Sequence, residues 1–72
     1  MDEITTRVTG TVYKIEVEEG DEVEEGTPII ILESMDDEVP IETPEDCVIV
    51  EILVEEGQSV TEGEPLVRVE PV

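Results

Sequence analysis

The sequence lacks the side chains on which most enzyme active sites depend. It contains no histidine, phenylalanine or tryptophan, and it has only one tyrosine and one cysteine. Without histidine, no Ser/His or Cys/His catalytic pair can form, and the single Cys47 excludes a disulfide framework or a cysteine-rich metal site. No glycine-rich phosphate-binding loop is present either. We therefore expect a protein that is not an enzyme, in which Cys47 is a small structural residue.

Positive charge is also scarce. Three basic residues stand against 22 acidic ones, which gives a net charge of -19. A field of this sign repels nucleic acid and anionic membranes, and no apolar run has the length of a membrane span. The same charge opposes a compact chain, but molar salt screens it. We therefore expect a protein adapted to a high-salt cytoplasm, with neither a nucleic acid nor a membrane as its partner.

Length and apolar spacing define the expected organisation. The chain has 72 residues, which suits a single domain spanning residues 1–72. The regular spacing of Val, Ile and Leu argues against the alternative interpretation, a disordered acidic tail. Because residues 1–3 have neither the basic nor the apolar region of a signal peptide, we expect a cytoplasmic location.

The sequence contains an internal repeat with an offset of 37 residues. Residues 12–33 align with residues 49–70, and ten of the 22 aligned positions are identical. Two copies are too few for a solenoid. They suit a domain with an internal pseudo-two-fold axis.

Each copy of the repeat predicts short strands separated by turns. Residues 12–17 and 29–32 are rich in β-formers, Gly20 suits a turn, and Pro28 suits the first position of a strand. A tight turn is predicted at 34–37, between the two copies, followed by a strand at 38–43. Closely spaced turn residues without a helical period predict an all-β sandwich or barrel.

The segments that flank this turn resemble those of the biotinyl/lipoyl carrier domain family. The resemblance covers residues 8–70 and rests on Val8–Val12, Val17–Val23, Gly26–Pro28 and, above all, residues 33–41, ESMDDEVPI. It implies a flattened barrel-sandwich hybrid of two four-stranded antiparallel sheets. The Ser-Met pair is more similar to the biotinyl branch than to the lipoyl branch.

The resemblance also implies where the chain departs from the family. The carrier lysine of the family stands at the hairpin tip between two methionines; here the tip residues are Met35, Asp36 and Asp37, with Asp36 at the lysine position. An Asp carboxylate cannot form the amide that joins biotin or lipoate to a lysine amine. Lys14, the only lysine in the chain, is predicted to lie inside a strand. We therefore expect no attached cofactor, although the family implies biotin or lipoate.

Three functions remain open at the sequence level. The first is a non-catalytic binding or assembly module that lacks the carrier lysine and docks, as a monomer, onto a subunit of a carboxylase or acyl-transfer complex. The second is a biotin carboxyl carrier or lipoyl domain of a carboxylase or 2-oxo-acid dehydrogenase complex, here in an unmodifiable variant. The third is a structural hybrid barrel of the kind found in secretion adaptors, against which the missing helical hairpin and membrane segment count.

Two acidic segments allow a functional and a simpler interpretation. The carboxylates around the turn could hold a hard cation such as Mg²⁺ or Ca²⁺, but their spacing lacks the ligand pattern of a calcium loop, and we favour a solvated turn without metal. Residues 16–25 contain seven acids and could dock a basic partner. We favour a solvated outer face, because the two valines in this segment fall where a core needs them.

Overall fold

The computed structural model describes residues 2–72, and these form eight β-strands and no helix. The strands are β1 (Asp2–Thr5), β2 (Gly10–Ile15), β3 (Glu22–Val23), β4 (Pro28–Ser34), β5 (Asp37–Glu42), β6 (Cys47–Ile52), β7 (Ser59–Val60) and β8 (Pro65–Pro71). Within this described part of the chain there is accordingly no helix long and apolar enough to cross a bilayer.

The strands form two antiparallel sheets of four strands each. The first sheet has the order β1-β8-β6-β3 and the second β5-β4-β2-β7. We call β1 to β4 the N-terminal half and β5 to β8 the C-terminal half. Each sheet contains two strands from each half, so the halves interdigitate. The prediction of an all-β fold with two four-stranded antiparallel sheets is confirmed.

The predicted strand boundaries differ from the observed ones by a few residues. The strand predicted at 12–17 is β2, which begins at Gly10 and ends at Ile15; the strand predicted at 38–43 begins and ends one residue earlier as β5; and the strand predicted at 29–32 extends to Pro28–Ser34. The N-terminal strand β1 was not predicted. Its four residues, DEIT, include one apolar side chain, which is too little for a periodic pattern.

The core lies between the two sheets and consists of aliphatic side chains. Its fully buried members include Ile29, Ile30, Leu32, Ile49 and Leu66. Most other apolar side chains of the strands are also buried or half-buried, whereas Tyr13 of β2 and Val50 of β6 are exposed. All Asp and Glu residues except the half-buried Glu64 are exposed.

Hydrogen bonds between the halves come in corresponding pairs. The Gly20 N–H donates to Ile49 O at 2.7 Å, and the Gly57 N–H donates to Val12 O at the same distance. Both glycines have φ above +90°, a conformation that glycine adopts without steric cost. Each half thus positions a turn on a strand of the other half.

Carboxylates reinforce the same contacts. Glu56 Oε2 accepts a hydrogen bond from the Ile15 N–H at 3.1 Å, and Glu19 Oε2 accepts one from the Ile52 N–H at 3.0 Å. Some of the acidic residues therefore satisfy backbone donors at strand ends as well as adding charge.

Candidate functional site

A two-residue hairpin joins the two halves of the chain. Strands β4 and β5 pair from Pro28 and Glu42 up to Ser34 and Asp37. Met35 and Asp36 form the connection between them, and we call these two residues the hairpin tip. The structure therefore places Asp36 at the apex, with Asp37 as the first residue of β5.

The backbone of the hairpin tip is unusual for its sequence. Met35 has φ +50° and Asp36 has φ +70°. Two consecutive positive φ values are the pattern of a type I′ turn, which favours Asn-Gly because residues with a Cβ pay a steric penalty there. Methionine is a poor choice for this conformation. These dihedral angles could not be predicted from the sequence, since no Asn-Gly or Asp-Gly pair marks the turn.

The tip is exposed and negatively charged. Met35 is 95% exposed, and Asp36 and Asp37 are exposed beside it. Glu33 and Glu38 lie directly opposite each other on the two strands below, an arrangement of like charges that destabilises a strand pair. Within residues 2–72, no group of three or more His, Cys, Asp or Glu side chains is arranged to hold a metal ion.

Gly10 allows the hairpin base to lie close to β2. A Cβ atom placed on Gly10 would lie 2.4 Å from the backbone oxygen of Glu33, far inside van der Waals contact. The Ser34 Oγ donates a hydrogen bond to Thr9 O at 2.9 Å, next to this contact. Gly10 was not singled out from the sequence, although an isolated glycine in a strand often marks a close backbone approach. The absence of a side chain at Gly10 thus lets β2 pack directly against the base of the hairpin.

A separate cleft lies between β1 and β5. Its volume is about 270 Å³, and it is lined by Ile4, Ile41, Pro44, Arg7, Glu3, Thr5 and Glu42. The Arg7 Nη2 lies 3.5 Å from Pro40 O, at the limit of a hydrogen bond. None of the hairpin tip residues lines this cleft.

Comparison with known families decides what kind of domain this is. The profile of the biotin/lipoyl family, described as "Biotin-requiring enzyme", matches residues 2–69. The chain belongs to this family. The biotin/lipoyl attachment protein of Bacillus subtilis (strain 168) is 33% identical over 49 residues, which cover 68% of this chain and 67% of that protein.

Solved structures of carboxylases contain the same fold. A single-chain, multi-domain long-chain acyl-CoA carboxylase matches 99% of this chain with a TM-score of 0.94 and 28% identity. The urea carboxylase of Kluyveromyces lactis matches 94% with a TM-score of 0.87 and 28% identity. This chain spans 7% and 6% of those two proteins, respectively, so the likeness concerns one domain of each.

The hairpin tip of this family member does not fit a covalently attached biotin or lipoate. Attachment as an amide requires a lysine amine, and the tip residues are a methionine and an aspartate. Lys14 lies on β2 opposite Ile31, three residues before Ser34 and thus about 10 Å along the strand from the hairpin end. Its Nζ lies 3.9 Å from Glu16 Oε1. The amine is exposed but sits on a sheet surface away from the tip.

Cys47 and the valines of the acidic segment 16–25 lie in the core. Cys47 is fully buried, and its Sγ lies 3.3 Å from the Thr43 Oγ1. In the acidic segment 16–25, Val17 and Val23 are buried, whereas all its acids are exposed. The valines thus pack in the core while the acids face solvent.

Proposed function

We propose that this member of the biotin/lipoyl family is a binding or assembly module that has no carrier lysine and is not itself catalytic. One observation supports this proposal above all: the apex of the β4–β5 hairpin presents the carboxylate of Asp36. The frame of the hairpin remains, with Met35 exposed before the apex and the paired strands below it. The recognition surface expected of the family can therefore be present without the chemistry of attachment.

The proposed partner is a subunit of a carboxylase or an acyl-transfer complex. Support comes from the two carboxylases in which a domain of this fold occurs at 28% identity. Met35, which is 95% exposed, is the apolar side chain that the hairpin tip offers to a partner. The proposed setting is the cytoplasm, an expectation that rests on the sequence alone.

Attachment is tested by intact-mass spectrometry after co-expression with a biotin ligase and, separately, with a lipoate ligase. The wild-type chain should keep its unmodified mass. A Lys14→Arg variant is the matched control, because any added mass that persists in it cannot be on Lys14. Addition of a biotinyl or lipoyl group to the wild-type chain would refute the proposal.

A second candidate is a carrier domain whose natural form has lysine at position 36. The segments on both sides of the apex favour this candidate, since they resemble those of the family except that Asp37 also replaces the second methionine. The double variant Asp36→Lys/Asp37→Met tests the surviving recognition surface. It should be biotinylated by a biotin ligase if the surface is intact, and failure of that modification would remove most of the support for carrier ancestry.

Docking is tested by titrating purified biotin carboxylase and carboxyltransferase subunits from the same organism with the wild-type chain. Binding that is lost in a Met35→Asp variant, but retained in a Tyr13→Ser variant on the exposed sheet surface, is the expected result. Equal binding by the two variants would place the contact away from the tip. No binding by any subunit would contradict the assembly role.

We further propose that the domain depends on salt. Its net charge is -19, and the ion pairs among residues 2–72 involve only Lys14 and Arg68 as cations. Most carboxylates therefore have no compensating charge nearby. Dissolved cations provide the screening that the chain does not supply itself.

A further inference from the structure

The two halves of the chain are joined only by the hairpin tip. Everything else that holds them together is non-covalent: strands of both halves pair side by side in each sheet, and the turn glycines of each half bond to strands of the other. None of these contacts requires that the two halves belong to one molecule. The N-terminal half of one copy and the C-terminal half of another could form an equivalent barrel.

The hairpin tip has an unfavourable backbone conformation. Met35 and Asp36 both have positive φ, and the exposed Met35 side chain has no core contacts to compensate. If the turn opens into an extended strand, both residues regain negative φ. Short hinge loops under strain favour exchange of elements between copies.

The register of the hairpin suits such an exchange. Opening the tip makes β4 and β5 one continuous strand over residues 28–42. Two such strands, from two copies, can pair antiparallel with the same partners as in the closed hairpin, Glu33 with Glu38 and Ser34 with Asp37. The register then places Met35 of one copy opposite Asp36 of the other, which adds pairs that the closed hairpin lacks.

We propose that this chain exchanges halves with a second copy of itself through the hairpin tip, forming a dimer of two complete barrels. This inference does not depend on the proposed function. Electrostatics sets the condition: each copy has a net charge of -19, and the paired hinge strands bring two sets of tip carboxylates together. The chain is therefore a monomer in dilute buffer, and the dimer forms at millimolar protein in molar salt, where the repulsion is screened.

The first experiment compares two variants of the hinge that have the same charge. Asp36→Asn and Asp36→Val both remove one carboxylate, but asparagine accepts positive φ whereas valine does not. The wild-type chain and both variants are refolded at millimolar concentration in about 3 M KCl, and their masses are measured by size exclusion with light scattering. The wild type should show a species of twice 8.0 kDa. The Val variant should dimerise at least about tenfold more tightly than the Asn variant.

The second experiment distinguishes exchange from association of two closed barrels. Ile29→Asp disrupts the core of the N-terminal half, and Leu66→Asp disrupts the corresponding position of the C-terminal half; both residues are fully buried. Each variant alone should be unfolded in the same salt. After co-refolding, the intact halves can meet in one wild-type barrel, and the mixture should recover about half of the wild-type β-sheet circular dichroism.

Three results would overturn the proposal: a wild-type chain with the mass of one copy under these conditions, equal dimerisation by the two Asp36 variants, or a co-refolded mixture that stays unfolded.

Discussion

The close approach at Gly10 makes Gly10→Ala a sharp test of the structure. The added Cβ would lie 2.4 Å from the Glu33 backbone oxygen, 3.2 Å from the Glu33 carbonyl carbon and 3.3 Å from the Ser34 Cβ. To reach an ordinary separation of about 3.4 Å, β2 and the hairpin base must move apart by about 1 Å. Both sides of the contact involve strand backbone, so no flexible side chain can absorb the shift. The Thr11–Glu33 pairing lies next to it.

The expected loss of stability is about 1–3 kcal/mol, the usual range for overpacking. A chain of this length has a total stability of about 4–11 kcal/mol, so this loss is a large fraction. For a domain of this size it lowers the midpoint of thermal unfolding by about 4–24 °C. Circular dichroism during heating in about 3 M KCl is the measurement.

A matched glycine variant separates the clash from backbone conformation. Gly20 has φ +96°, and a Cβ at this position would have no atom within 4 Å. Gly20→Ala therefore incurs only the steric cost of a left-handed backbone conformation, about 1 kcal/mol. Gly10, in contrast, is not among the residues with positive φ. If Gly10→Ala melts within about 2 °C of the wild type, the close contact between β2 and the hairpin base is wrong.

Three further outcomes are expected. Raising the salt from about 0.01 M to about 3 M shortens the screening length from about 30 Å to below 3 Å, so β-sheet circular dichroism and the melting temperature should rise; equal folding at both ends would show that the core outweighs the repulsion. Met35→Asn/Asp36→Gly should stabilise the closed monomer by about 1–2 kcal/mol in urea titrations, because it matches the turn, and an unchanged midpoint would contradict the positive φ values. Thr43→Val should lower the free energy of unfolding by about 1 kcal/mol, because it removes the Oγ1 hydrogen bond to Glu45 O at 2.7 Å. Thr6→Val, which loses the equivalent 2.6 Å bond to Val8 O, should lower it by a similar amount. A neutral effect of both substitutions would argue against these bonds.

The regular part of the fold was predictable because its physical causes are local. Pro28 begins β4 as predicted, since a residue without an N–H is tolerated at a strand start. The aliphatic runs became the buried centres of the sheets because β-branched side chains pack well on pleated surfaces. The resemblance to the biotin/lipoyl family supplied the division into two four-stranded sheets, which no local pattern specifies.

Other features depend on contacts between distant segments. Strand β1 exists because β8 offers it a partner edge, and its sequence alone gives no such indication. The pairing of β2 with β4 shifts register between Val12 and Lys14, and Tyr13, between them, is half exposed. Bulges of this kind arise from the fit of two strands and have no reliable composition.

At the candidate site, a tight turn containing Asp36 was predicted from the sequence. The backbone conformation of that turn and the contact between Gly10 and the hairpin base were not. The turn was inferred from the repeat and the resemblance. The two-residue connection favours a primed turn, with positive φ at its first residue, but it does not select type I′ over type II′. The contact between Gly10 and Glu33 joins segments more than twenty residues apart, and so lies beyond any local pattern.

The reciprocal bonds of Gly20 and Gly57 have a consequence for motion. Each of these amides is protected by a carbonyl of the opposite half, so neither turn can detach without leaving a strand carbonyl of the other half unpaired. Hydrogen exchange at the two amides should therefore report one common opening event with one free energy, rather than two independent local fluctuations. The two turns should therefore open together, in one opening of the whole domain, and not separately.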